Sequence, residues 1–145
     1  MMPHRKAAYL LAIAAFGAAL SAPLAVAHAQ QDTMMKAKAS VQPFTLAALK
    51  AAQSAGKTIL VHAHADWCPT CRAQVPAIDA IAADPANAGV VIFRLDFDQQ
   101  KAERRALNIT GQSTIIAYRG MTETGRVQGD TKQAAIAKLV SAARS

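Results

Sequence analysis

Both cysteines of this 145-residue chain lie in one short run, Ala65-Asp66-Trp67-Cys68-Pro69-Thr70-Cys71-Arg72. A thiol pair at this spacing can exchange disulfides, close a plain disulfide, or supply part of a metal site. A plain disulfide here is a poor staple, because so short a loop removes little freedom from the unfolded chain. The metal reading draws on His62 and His64 just upstream. With Cys68 and Cys71 they make two imidazoles and two thiols, a donor set suited to zinc or copper. Exchange has position in its favour. The run Thr58-Ile59-Leu60-Val61-His62 is strand-like and Ala73 to Ile78 helix-like, which places Cys68 at the start of a helix. Unpaired N–H groups and the helix dipole favour a thiolate there. The dipole is worth up to about 2 kcal/mol, enough to bring a free-thiol pKa of ~8.5 down to ~7. Pro69 suits the first helical position, where its missing N–H costs nothing. Asp66 and Arg72 read as solvated charges flanking the pair.

The elements that must hold these residues follow from periodicity. Residues 30–43 read as a flexible lead and 44–145 as one domain. Thr45 caps a first helix carrying Leu46 and Leu49, which Gly56 closes. Thr58 to His64 is a strand with Leu60, His62 and His64 on one face and Ile59, Val61 and Ala63 on the other. Pro69 to about Ala83 is a helix with Val75, Ile78 and Ala82 as its inner stripe, interrupted by Pro76. Val90 to Leu95 is nearly continuous apolar sequence, as in a strand covered on both faces. A short polar helix from Gln99 to Leu107 follows. Thr114 to Tyr118 and Thr122 to Val127 form a hairpin around Gly120. Thr131 to Ala143 is a helix with Ile136, Leu139, Val140 and Ala143 on one face. Alternation first and a hairpin last imply an α/β domain, a mixed sheet with helices on both faces.

The first 29 residues read as a cleaved signal peptide. His4-Arg5-Lys6 precedes an apolar run from Ala7 to Leu20, Pro23 breaks it, and small residues follow to Ala29. The alternative is an uncleaved membrane anchor, since the charge-free run is long enough to span a bilayer. The export reading gives a periplasmic or secreted protein, in a compartment where thiols oxidise and a lone pair becomes a redox couple. The formal charge of +7 comes from basic residues scattered along the chain. Without an Arg/Lys block interleaved with aromatics, this argues against a nucleic-acid partner.

Taken together, these residues resemble the thioredoxin family from about Phe44 to the C-terminus. Trp67-Cys68-x-x-Cys71 matches its active-site motif, and Pro76 falls where the family bends its active-site helix. Leu95-Asp96-Phe97-Asp98 resembles the end of the central strand, Asn108 to Thr114 the segment facing the thiols, and Gly129 the glycine before the last helix. The resemblance implies a thioredoxin fold and disulfide exchange with proteins, carried by the sulfurs without a cofactor or metal. It makes Cys68 the nucleophile and Cys71 the resolving thiol, with Trp67, Pro69, Thr70, Gln112, Ser113 and Thr114 facing substrate. It also implies a monomer acting as a reductant, supplied with electrons by a membrane donor.

Two positions depart from the family pattern. Ser113 stands where the family usually has a cis-proline. A non-proline cis bond costs ~3 kcal/mol, so the Gln112–Ser113 peptide is expected trans. The Ser113 hydroxyl is also placed to hydrogen-bond a thiolate. His62 stands where the family often buries a carboxylate. A neutral imidazole beneath Cys71 is expected to accept its proton during exchange.

Overall fold

The computed structural model describes residues 39–145, so the expected signal peptide and most of the stretch expected as a lead lie outside the described residues. Nine elements follow in order: β1 (Val41–Pro43), α1 (Leu46–Ser54), β2 (Thr58–His64), α2 (Pro69–Ala83), β3 (Val91–Asp96), α3 (Lys101–Ala106), β4 (Thr114–Arg119), β5 (Thr122–Gln128) and α4 (Gln133–Arg144). A single 3-10 turn, Pro85–Asn87, links α2 to β3.

The strands form one mixed sheet in the order β1-β3-β2-β4-β5. β1 and β2 both run parallel to β3, whereas β4 runs antiparallel to β2 and to β5. β1 corrects the sequence reading, which put these residues in the flexible lead. Only Val41 of its three residues is apolar, so there is no alternation to see; its pairing with β3 defines it. The sheet therefore includes residues ahead of Phe44.

Strand parity builds two apolar layers. Leu60 points with Ile92, Ile115 and Ala117 toward α2 and α4, where Ile78, Ile81, Ile136 and Val140 meet them. Ile59, Val61 and Ala63 point the other way, with Phe93, Leu95 and Ile116, and pack with Leu49 and Phe44. Burying a side chain of this size contributes about 1.5–3 kcal/mol. The two layers fix β2 in the middle of the sheet, with His62 and His64 on the α2 face. α2 departs from expectation at one turn. Val75 is only half-buried, and the buried residue of that turn is Gln74. Among the described residues, no helix is long and apolar enough to cross a membrane.

Candidate active site

α2 starts at the C-terminal end of β2, and Cys68 is its N-cap, with Pro69 in the first turn. The Cys68 Sγ accepts a hydrogen bond from the Cys71 backbone N–H at 3.1 Å, filling the role a serine or aspartate oxygen usually has at this position. Cys71, one turn on, faces inward against β2. Both cysteines are free thiols. The loop before β4 brings Ser113 over them: its Oγ lies 3.2 Å from Cys68 Sγ and 3.2 Å from Cys71 Sγ. One hydroxyl has one proton and spare acceptor capacity, so it can donate to a Cys68 thiolate while accepting from the Cys71 thiol.

These contacts push the two thiols apart. Burial alone would raise Cys68, but hydrogen bonds from the Cys71 thiol, the Ser113 hydroxyl and the backbone N–H groups of Cys71 and Thr70 outweigh it, and the net direction is downward. Burial and the proton it shares with Cys68 raise Cys71, with Ser113 offsetting only part. One sulfur is primed as a thiolate and the other held as a thiol.

Cys68 is less open than a helix tip suggests, being 2% accessible. Ala65 and Phe97 pack beside the sulfurs, and Ser113 lies over them. The surroundings are nonetheless polar on the side that matters, and the flanking residues Trp67 and Pro69 are exposed. Trp67, 59% accessible, is held by its indole N–H donating to Asp98 Oδ2 at 2.8 Å. Thr70 and Gln112 are half-buried. Thr114 is buried and its hydroxyl donates to the Gly111 carbonyl at 2.7 Å, so among the residues expected to face substrate it is committed to the loop instead.

Ser113 has φ +60°, a left-handed conformation that costs an L-residue roughly 1–2 kcal/mol. Three hydrogen bonds hold it there. Its N–H donates to Ala63 O on β2 at 3.0 Å, and its carbonyl accepts from Gly129 N at 3.0 Å and from Gln74 Nε2 at 3.0 Å. Gln74 is the residue that reading the sequence missed. Its amide nitrogen also donates to Asp130 O at 2.9 Å, which uses both hydrogens and turns Oε1 toward His62 Nε2 at 3.0 Å. A visible signal existed: Cys71, Gln74 and Ile78 sit at i, i+3 and i+7, so a glutamine occupies the inward stripe of the helix.

Since Gln74 Oε1 can only accept, His62 carries its proton on Nε2 and its lone pair on Nδ1. His62 is 1% accessible, and burial, then the neighbouring His64, and also Arg94, lower its pKa to about 4 despite the Gln74 hydrogen bond. The imidazole reaches the expected place but not the expected basicity. Burial raises the Cys71 thiol while the ring's pKa lies near 4, so transfer of the proton from sulfur to imidazole runs uphill. His62 is thus a neutral anchor for Gln74 rather than an effective base. His64 is also buried; its Nε2 lies 3.2 Å from Asp66 Oδ1, while its Nδ1 is buried without a partner. Arg72 Nη1 donates to the Asp66 carbonyl at 2.7 Å, tying α2 to the preceding loop.

The chain is similar to known proteins over nearly all of its described length. The family model described as Thioredoxin matches residues 40–142. The chain is 30% identical over 108 residues to a thioredoxin of Echinococcus granulosus, covering 74% of this chain and 98% of that protein. It is 29% identical over 92 residues to a thioredoxin H-type of Brassica campestris, covering 63% and 73%. Among solved structures, Trxlp from Edwardsiella tarda EIB202 is 37% identical with a TM-score of 0.67, over 70% of this chain and 98% of that one. A thioredoxin of Malassezia sympodialis, 19% identical, shares the fold with a TM-score of 0.65, over 72% and 94%.

Proposed function

The chain belongs to the thioredoxin family of thiol–disulfide oxidoreductases acting on protein disulfides, and from that premise we propose that it reduces disulfides of exported proteins through Cys68 and Cys71. The observation that carries this reading is the placement of Cys68 Sγ at the α2 N-cap, with Cys71 N–H at 3.1 Å and Ser113 Oγ at 3.2 Å. The Cys68 thiolate attacks one sulfur of a substrate disulfide. That S–S bond breaks, a Cys68–substrate disulfide forms, and the departing sulfur takes a proton from water. Cys71 then loses its proton, attacks Cys68 Sγ and expels the second substrate sulfur, which is protonated in turn. Two electrons pass to substrate and the chain is left with a Cys68–Cys71 disulfide.

Exposed Trp67 and Pro69, with half-buried Thr70 and Gln112, offer the docking surface beside the sulfurs. The pattern of residues 1–29 supports export to the periplasm or beyond, and a membrane donor would return the chain to the dithiol. We take the working unit to be a monomer. The reducing direction fits the potential of thioredoxin itself, about −270 mV. Equilibrating the protein with glutathione tests it: a potential above about −150 mV would make the chain an oxidant and overturn the proposed direction. Trapping with Cys71→Ser should accumulate mixed disulfides at Cys68 and identify the substrates. No trapped species from an extract of exported proteins would count against the exchange itself.

A further inference from the structure

Behind the exchanging sulfur lies a second arrangement that disulfide exchange does not require. Among the described residues, one group of three metal-capable side chains comes together: His62, His64 and Cys71, each offering one ligand atom within 4.8 Å of the others, all three residues buried. Two further observations point to a ligand. His64 Nδ1 is a buried polar atom with no partner, on a side chain more than nine-tenths buried. Such an orphan costs about 1–3 kcal/mol, which a bound cation would relieve. Both rings are also held from behind, His62 by Gln74 Oε1 at 3.0 Å and His64 by Asp66 Oδ1 at 3.2 Å, leaving Nδ1 as the lone-pair nitrogen of each. Metal-binding histidines are typically oriented in this way, the nitrogen away from the metal donating to a carbonyl or carboxylate.

We infer that the reduced protein is a Cu(I)-binding protein, holding the ion with one ring nitrogen each of His62 and His64 and the thiolate of Cys71. The donor chemistry selects the ion. One thiolate with two imidazoles is soft enough for Cu(I), which is satisfied by three ligands, whereas zinc takes four. Bonds of ~2.0 Å to nitrogen and ~2.3 Å to sulfur in a trigonal arrangement put ligand atoms about 3.5–3.7 Å apart, so closure needs side-chain shifts of about 1 Å. Binding exchanges one proton for one cation: Cys71 releases its thiol hydrogen to solvent, a sulfur–copper bond forms, and no electrons move. A cleft of ≈ 500 Å³ reaches His64 from outside, its wall carrying Asp66, Asp96 and Asp98 against a single cation, Arg94. That excess of carboxylates favours a positively charged visitor. Because Cys71 is also the resolving thiol, the Cys68–Cys71 disulfide removes a ligand. Copper and exchange are therefore mutually exclusive at this sulfur.

The test is an anaerobic titration of the reduced chain with Cu(I), in competition with bathocuproine disulfonate, followed by X-ray absorption at the copper edge. The expected result is one ion per chain and a shell of one sulfur and two nitrogens. Cys71→Ser abolishes binding and Cys68→Ser leaves it within a few-fold, which separates this site from simple chelation by the thiol pair. Asp66→Asn, whose exposed side chain makes it safe for folding, weakens binding by about 10–100-fold, and His64→Ala, which deletes a ligand, weakens it further. Near-UV circular dichroism checks the fold of every variant. A sulfur-only shell, equal loss in Cys68→Ser and Cys71→Ser, or undiminished binding in the oxidised protein would each overturn the proposal. Zn(II) binding through these residues with no uptake of Cu(I) would overturn the choice of ion. None of these readouts depends on turnover, so the site and the exchange reaction stand or fall separately.

Discussion

Replacing Gln74 by leucine, of similar volume, should cost far more than its small chemical change suggests. The side chain makes three hydrogen bonds, at 3.0 Å to His62, 3.0 Å to Ser113 O and 2.9 Å to Asp130 O. Ser113 O keeps its second donor, Gly129 N, and the Asp130 carbonyl is only part-buried, so those two losses come to about 1 kcal/mol together. His62 Nε2–H has no other partner in a site 1% accessible, and orphaning it costs about 1–3 kcal/mol. The sum is about 2–4 kcal/mol out of the ~5–15 that a domain of this size commands. In thermal unfolding that is a fall of roughly 10–25 °C. Urea titration of the reduced proteins measures it directly. Gln74→Glu sharpens the result: it keeps an acceptor for His62 but faces two carbonyls with oxygen, so at neutral pH it should lose at least as much. A leucine variant within about 1 kcal/mol of the parent, or a glutamate variant milder than leucine, would show that the amide is not oriented as described.

Further outcomes follow from the same geometry. Ser113→Ala removes a hydrogen bond to the Cys68 thiolate worth about 1.5–3 kcal/mol, so its alkylation profile should move up by roughly 1–2 pH units; an unmoved profile would clear Ser113 of any part in activation. His62 has its pKa lowered from 6.5 to about 4, so the unfolded chain binds the extra proton first as pH falls. Stability is therefore whole above 6.5 and drops by about 3 kcal/mol between 6.5 and 4, measured by urea unfolding in EDTA. Nitrogen NMR should find the ring of His62 neutral with its proton on Nε2 at pH 6, and a charged ring there would contradict both. Finally, Asp98→Asn keeps an acceptor for the Trp67 indole, whereas Asp98→Ala frees it; only the second should change Trp67 fluorescence and raise KM for a protein disulfide.

The sequence carried most of what the sheet decides. Parity within Thr58–His64 put the two histidines on one face, and the hydrophobic faces of α2 and α4 said what would cover them. What stayed hidden depends on partners distant in the chain. β1 exists because β3 offers it an edge, and Cys68 is covered because the loop carrying Ser113 folds over it. Gln74 does not stand out in the sequence because glutamine is usually solvated, and only the simultaneous presence of Ser113, Asp130 and His62 around it explains its burial. The basicity of His62 was likewise unreadable, being set by burial and by His64 and Arg94 nearby.

The backbone at Ser113 has a consequence for how this chain could be re-engineered or could have drifted. A proline there would have its φ pinned near −65°, opposite in sign to the +60° observed, and would have no hydrogen to give Ala63 O. Introducing proline is thus not a one-step change: the whole turn, with its ties to Gly129 and Gln74, would have to be rebuilt around it. Serine here belongs to a self-consistent alternative design of the loop, and swapping it alone should yield a damaged protein rather than an ordinary member of the family.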